Sequence, residues 1–287
     1  MDILYYLGLA VTGFGAGLVG ALLGLGGGVF MVPVLQLIFN VPFLTASGTS
    51  NVAVVATSTA GASTYVRDRL ANIRLGLVLL VSTTAAALVS SLVASLLPTA
   101  VLSGLFALLL LYTAYSMLAS RSPKARGPEA DPDPAVAETA SDLGLEGAYY
   151  DAAARSEVTY SPRKVRMGMS LSMLGGVVAG LLGVGGGIVQ TPVMNLLMNV
   201  PLKVAASTSN YMIGVTATSA AFVRYAHGDI DPLIAVPMAL FVFFGARVGA
   251  WLVPRTPSAR LKLIFGWVAL VIAALMILKA VGLWPGK

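Results

Sequence analysis

The sequence predicts an all-α polytopic membrane protein made of two homologous repeats. Three observations carry that prediction. Hydrophobic residues make up 57% of the 287-residue chain and charged residues only 10%, whereas roughly a quarter of a soluble domain is charged. Apolar runs of about 20 residues, long enough to cross a bilayer, follow one another almost without a break. One stretch is also written twice. GLGGGVFMVPVLQLIFNVPFLTASGTSN (24–51) returns as GVGGGIVQTPVMNLLMNVPLKVAASTSN (183–210), with 14 of 28 positions identical and no gap. A duplication of this kind orders the reading of the whole chain. In a membrane chain, Gly/Pro-interrupted hydrophobic segments at matching places in two halves point to a transport site.

The first repeat, 1–120, opens with an apolar helix over 3–23. It lacks a basic n-region, and its glycine knot belongs to the repeat, so it reads as a helix and not as a cleaved signal peptide. The knot Gly24–Gly28 follows, then a short helix over 29–39 and a break at Asn40-Val-Pro42. A long helix over 45–66 comes next, with a charged loop containing Arg67, Asp68, Arg69 and Arg74. Two further spans, 75–97 and 100–119, meet at Pro98. The second repeat, 167–287, copies this order: a helix over 167–182, the knot Gly183–Gly187, a short helix over 188–198 and the break Asn199-Val-Pro201. Helices over 204–223, 233–253 and 261–281 complete it.

Eleven residues of helix reach about 16 Å, half the hydrocarbon thickness, so the short helices do not cross alone. Non-helical backbone at that depth is tolerated only when buried in protein or lining a wet cavity. If the short helix completes a crossing with its flanking loops, each half makes five passes and the halves are inverted. If it is re-entrant, the count gives four passes and parallel halves. Both schemes put Arg67, Arg69, Arg74 and the basic ends of segment 121–166 inside. The positive-inside rule then sets Lys203, Arg255, Arg260 and Lys262 against Arg224, Lys279 and Lys287. Four against three favours inversion.

Segment 121–166 is the one long hydrophilic stretch and is expected to be a cytoplasmic linker. Its first part, RSPKARGPEADPDPAVAETASD, has the Pro/acid/Ala composition of a disordered tether. Its second part carries Tyr149, Tyr150, Val158 and Tyr160 and is expected to pack locally. The linker holds seven basic and eight acidic residues, and the rest of the chain eleven basic against four acidic. The membrane part is therefore positive. The positive-inside rule accounts for much of that excess, and the remainder favours anionic partners.

Several residues could carry transport. Glycine lets backbone amides approach a ligand, and a helix starting just beyond leaves its first N–H groups without intrahelical acceptors. Gly26, Gly27 and Gly28, with Gly185, Gly186 and Gly187, would then form two cradles for an anion. The plainer alternative is close packing of helices through small residues. Thr49, Ser50 and Asn51 recur as Thr208, Ser209 and Asn210, and can donate to oxyanion oxygens or satisfy freed backbone. Gln190 is a polar candidate without a counterpart, since Met31 holds the matching place. Arg247 lies inside a span, where an arginine faces a cavity or partner unless it snorkels to the interface. His227, the one histidine, reads as a solvated loop residue. On the cradle reading, Gly27→Val and Gly186→Val abolish transport in folded protein.

Absences narrow the class. No Asp or Glu falls within a predicted span, which disfavours cation pathways and carboxylate proton relays. There is no GxxxxGK[ST] to drive pumping with nucleotide. One histidine and no cysteine cannot assemble a metal centre. No nucleophile–base pair indicates an enzyme. No cofactor, metal or nucleic acid is expected. The expected partners are a small anion, the lipid bilayer and a coupling proton or ion, with a homodimer left open.

At the glycine knots, the Asn-Val-Pro breaks, the Ser/Thr-Asn steps and Gly245-Ala-Arg-Val-Gly249, the chain resembles the sulfite exporter TauE/SafE family. The resemblance spans both halves and includes a central cytoplasmic linker. It implies a secondary transporter in the cell (inner or plasma) membrane, moving sulfite or a short organosulfonate such as sulfoacetate. Alternating access between the two repeats is the expected mechanism. An anion channel and a non-transporting scaffold or sensor are the alternatives.

Overall fold

The computed structural model describes residues 3–67, 70–119, 144–151, 156–252, 267 and 270–278. The first half contains α1 (Ile3–Leu23), α2 (Gly28–Leu37), α3 (Phe43–Arg67), α4 (Ile73–Ala94) and α5 (Thr99–Ala119). A hairpin of β1 (Gly147–Asp151) and β2 (Ser156–Tyr160) follows, with Gly147 opposite Tyr160. Then come α6 (Val165–Leu182), α7 (Gly187–Pro192) running straight into a π-turn (Val193–Leu197), α8 (Leu202–Ala226) and α9 (Pro232–Leu252). Residues 267 and 270–278 are helical, and the rest of the span expected over 261–281 lies outside the described residues, as does the proline-rich half of the linker.

Four helices, α1, α4, α6 and α9, are long and apolar enough to cross a membrane. Their outer faces present Leu4, Leu7, Val11, Val81, Val89, Leu174 and Val236 as exposed side chains. Among polar residues such exposure would be costly, but in lipid it is what the solvent requires. The protein is therefore a multi-pass membrane protein. The 25-residue helices α3 and α8 differ in kind. They bury Ser47, Thr49, Ser50, Asn51, Thr57 and Ser58 on one, and Ser207, Thr208, Ser209, Asn210 and Thr216 on the other. Too polar to face lipid, they occupy the centre.

Helix directions follow from side-chain contacts. A Cβ on Gly13 would meet Met238 and Phe241, and one on Gly249 would meet Leu18 and Ala21, so α1 and α9 run parallel. Ser82 bonds the Met169 carbonyl and Ser90 the Gly176 carbonyl, so α4 and α6 also run parallel. α3 and α8 are antiparallel. Gly48 near the start of α3 lies against the Asp229 carbonyl just past α8, while the loop after α3 bonds back to the start of α8 through Asn72 N–H to Thr208 Oγ1 at 2.9 Å.

The short helices turn back on themselves. Phe39, beyond α2, stacks edge-on with Tyr5 at 5.2 Å and lies against Gly8, near where α1 began. In the second half Met198 lies against Gly168, and its carbonyl accepts from Arg163 N–H at 2.9 Å. Of the two schemes left open for the short helices, this packing is that of the re-entrant one, but re-entrance does not then imply parallel halves. A helix paired with its own return makes no net crossing, so α3, α4 and α5 alone decide on which side a half ends. The residue that turns the chain is legible: Asn40 and Asn199 both adopt left-handed backbone, φ 53° and 56°, which asparagine tolerates better than other non-glycine residues. Lys164, at φ 52°, starts α6 in the same way.

The linker's second part packs as expected. Leu145, Tyr149 and Val165 join Leu75, Leu79, Met194, Met198, Val204 and Met212 in one apolar cluster. Asn72 Nδ2 donates to the Leu145 carbonyl at 2.8 Å and to the Tyr160 hydroxyl at 3.2 Å. The β-hairpin thus seals one end of the bundle, over the start of α8.

Candidate functional site

The knots have one conformation written twice. Gly24, Gly26 and Gly27 take φ of 68°, 75° and 78°, and Gly183, Gly185 and Gly186 take 74°, 74° and 80°. L-residues rarely adopt this region, so three of the five positions in each knot call for glycine on conformational grounds alone. Gly28 and Gly187 have another reason. A Cβ on Gly28 would sit 2.7 Å from the Gly183 carbonyl oxygen, and one on Gly187 would sit 2.5 Å from that of Gly24. The knots therefore touch each other, backbone on backbone, and all of their glycines are buried. Close packing accounts for these two positions. The N–H groups of Gly28 and Val29 donate to no backbone carbonyl, as expected at the start of a helix.

Two apolar residues stand between the knots. Val54 of α3 and Ile213 of α8 both border Gly26 and both border Gly185. Each lies 30 residues after the first glycine of its own knot, so the pair marks the centre of the molecule. Sequence reasoning missed both, because an aliphatic residue on an apolar helix carries no chemical signal.

The Ser/Thr/Asn steps divide by function. Ser50 Oγ donates to the Gly183 carbonyl at 2.7 Å, and Ser209 Oγ to that of Gly24 at 3.2 Å. These serines lace each long helix to the opposite knot. Thr208 accepts from Asn72. Four of the expected residues keep buried polar atoms without a hydrogen-bond partner: Thr49, Asn51, Gln190 and Asn210, all 0% exposed. Asn51 has both carboxamide atoms unpaired. The Asn210 carboxamide lies beside Tyr65 without a hydrogen bond of good geometry. Asn51 and Asn210 each sit three residues before Val54 and Ile213, on the same helical face, so two orphaned carboxamides flank the centre. Gln190 faces α6 across Gly175 instead. Ser47, Ser172 and Thr191, which drew no notice in the sequence, also keep unpaired hydroxyls. Leaving such groups unpaired costs about 1–3 kcal/mol each; Ser47, Thr49 and Asn51 lie on α3, Asn210 on α8, and Ser172, Gln190 and Thr191 on α6 and α7.

Arg247 is exposed on α9 and is not gathered with the knots. His227 caps α8 at its exposed end, its Nδ1 2.8 Å from the Val223 carbonyl. Arg224 is the larger surprise. Read from the sequence as the start of a loop, it is 1% exposed within the last turn of α8. Its Nη2 donates to the carbonyls of Gly180 and Leu181 at 3.2 Å, and its Nη1 to Asp229 Oδ2 at 3.3 Å. Tyr65 holds the matching place in the first half and donates to the Ala21 carbonyl at 2.9 Å. Continuing the repeat alignment past residue 210 would have paired these two residues.

Among the described residues, no cluster of His, Asp or Glu could hold a metal ion. The family model for the sulfite exporter TauE/SafE matches residues 9–276. A probable membrane transporter protein, YunE of Bacillus subtilis (strain 168), is 26% identical over 280 residues, covering 95% of this chain and 97% of the relative. Comparison with solved structures finds no match.

Proposed function

The chain belongs to the sulfite exporter TauE/SafE family of membrane transporters, and from that premise we propose that it carries a small sulfur oxyanion, sulfite or a short organosulfonate such as sulfoacetate. The observation that carries this reading is the pair of buried, unbonded carboxamides of Asn51 and Asn210 on either side of Val54 and Ile213. Amide N–H groups donate to oxyanion oxygens without the desolvation cost of a buried counter-ion. Thr49 adds a hydroxyl, and the knot amides can add backbone donors. No described helix contains an Asp or Glu, so the path lacks the groups with which a cation would be held.

In this reading the two halves are inverted, related by an axis that exchanges antiparallel α3 and α8. Alternating access then has a different moving unit from the sequence repeat. α1 packs on α9, and α4 on α6, each pair drawn from both halves. Their interfaces run through glycines against backbone: Gly17 on Val242, Gly245 on Phe14, Gly176 on Thr83. Rocking one repeat against the other would tear both interfaces. The bodies that move are α1, α2, α3 and α9 against α6, α7, α8 and α4, sliding along the α3–α8 seam. The membrane is the plasma membrane, with the β-hairpin on its cytoplasmic side.

Purified protein in liposomes, given labelled sulfite, sulfoacetate, phosphate and sodium in turn, tests the proposal. Saturable sulfur-anion flux with counterflow on adding unlabelled anion is expected. Selective sodium flux, or unsaturable anion current without counterflow, would overturn it.

A further inference from the structure

We infer that Arg224 is a positioning residue that makes the two ends of the transport path electrostatically unequal, so that an anion is drawn in more strongly from the end remote from the β-hairpin. The inference rests on the anion-transport reading and adds a direction of asymmetry to it.

Arg224 and Tyr65 lie 41 residues after the first glycine of their respective knots, and their acceptors, Gly180 and Ala21, lie three residues before those glycines. Both side chains latch the last turn of the helix that enters a knot. The chemistry differs. The carbonyls ending a helix carry partial negative charge, which disfavours an anion nearby. On the first half a neutral phenol caps that end. On the second, a guanidinium caps two carbonyls and reverses the local sign.

A structural latch needs only the phenol, as the first half demonstrates. Placing a cation there at 1% exposure is costly, and the cost is only partly offset. Asp229 supplies one contact, at 17% side-chain exposure, while Arg224 Nε is buried with no partner at all. Charge is therefore in excess of what the latch requires. Tyr65 lies beside Asn210, the residue that the repeat aligns with Asn51. Ser47, with its unpaired hydroxyl, lies against Gly183, on the chain just past the carbonyls Arg224 holds. The other end has the β-hairpin docked over Asn72; its described cations, Arg67, Arg74, Arg163, Lys164, Arg166 and Lys203, are exposed or half-buried, where water and salt screen them, and none is buried. His227 and Asp231, the other titratable residues of the loop after α8, are exposed and half-buried respectively.

The test is sided kinetics of sulfite flux in vesicles of known orientation. At an effective dielectric of about 20, a charge about 10 Å from an anion changes its affinity about 15-fold. Arg224→Gln is expected to raise KM by that factor from the Arg224 end, with Vmax and the KM from the hairpin end within about twofold of wild type. Arg224→Lys keeps the charge and should stay near wild type. Asp229→Asn removes the opposing charge and should lower KM from that end. Tyr65→Phe should leave both values unchanged. If Arg224→Gln is not recovered folded, the opposite signs expected of Asp229→Asn and Arg224→Gln reduce to one check: Asp229→Asn must lower KM while Arg224→Lys holds it. Unchanged KM in Arg224→Gln, an equal rise from both ends, or a rise in Asp229→Asn would overturn the inference while leaving anion transport standing. Wild-type protein that carries no anion would sink the transport reading itself and this inference with it.

Discussion

Replacing Asn51 with leucine separates a structural asparagine from a substrate-binding one. Both carboxamide atoms of Asn51 are buried without partners, and the side chain is 0% exposed. Leucine branches at the same carbon and carries the same number of heavy atoms, so the shape is kept although its methyls are bulkier and demand some repacking. Each unpaired buried polar group costs about 1–3 kcal/mol. Removing two, less a loss from imperfect fit, should stabilise the protein by about 2 kcal/mol. That corresponds to a rise of about 4–8 °C in Tm for a chain of this size. Transport should fall at least about tenfold, since one lost substrate hydrogen bond is worth about 1.4 kcal/mol or more. Thermal unfolding in detergent and sulfite flux in liposomes are read on the same preparation. Gain of stability with loss of function is the signature of a site held against its folding interest. A variant that unfolds earlier and transports normally would refute the reasoning, because Asn51 would then be bonded in the working protein and irrelevant to the solute.

Gly28→Ala should destabilise by about 2–4 kcal/mol, because its methyl would press on the Gly183 carbonyl and neither backbone can withdraw; Gly15→Ala, with open space around it, serves as the neutral control in thermal unfolding. Gly27→Val is expected to misfold, since φ is 78° and a Cβ would lie 2.6 Å from the Ala16 carbonyl, so the value of that substitution as a clean transport test is lost. Ser50→Ala should cost about 1 kcal/mol and more than Ser209→Ala, the bonds being 2.7 and 3.2 Å. Deleting 121–143 should preserve flux, while deleting 144–160 should lower Tm, by uncovering Leu75 and Met198 and freeing Asn72. Because the chain contains no cysteine, Ser82→Cys with Met169→Cys can be bridged by a short bismaleimide across α4 and α6; flux should survive, and its loss would favour rocking of whole repeats.

How far the sequence reached is best judged by what kind of information a repeat contains. The duplication located both knots, both Asn-Val-Pro turns and both polar steps, since backbone conformations that demand glycine or asparagine leave their mark in residue identity. It also placed the helix boundaries of α3 and α8 to within a few residues. Equivalence, however, is not adjacency. Aligning Gly24 with Gly183 does not reveal that Gly28 rests on Gly183 while Gly187 rests on Gly24, or that the serines bond across to the opposite knot. Those are relations between copies, and a list of matching positions contains none. The same limit hid the bodies of the fold. Small residues at Gly17, Gly245 and Gly176 announce close approach but not the neighbour, and each neighbour turned out to belong to the other half. Arg224 escaped for a different reason. A cation eight residues before a proline-started helix reads as a loop charge, and only burial with Gly180, Leu181 and Asp229 reveals it as interior. An interleaved duplication therefore hides its packing from any reading that treats the halves as units, because the largest helix interfaces lie where copies meet.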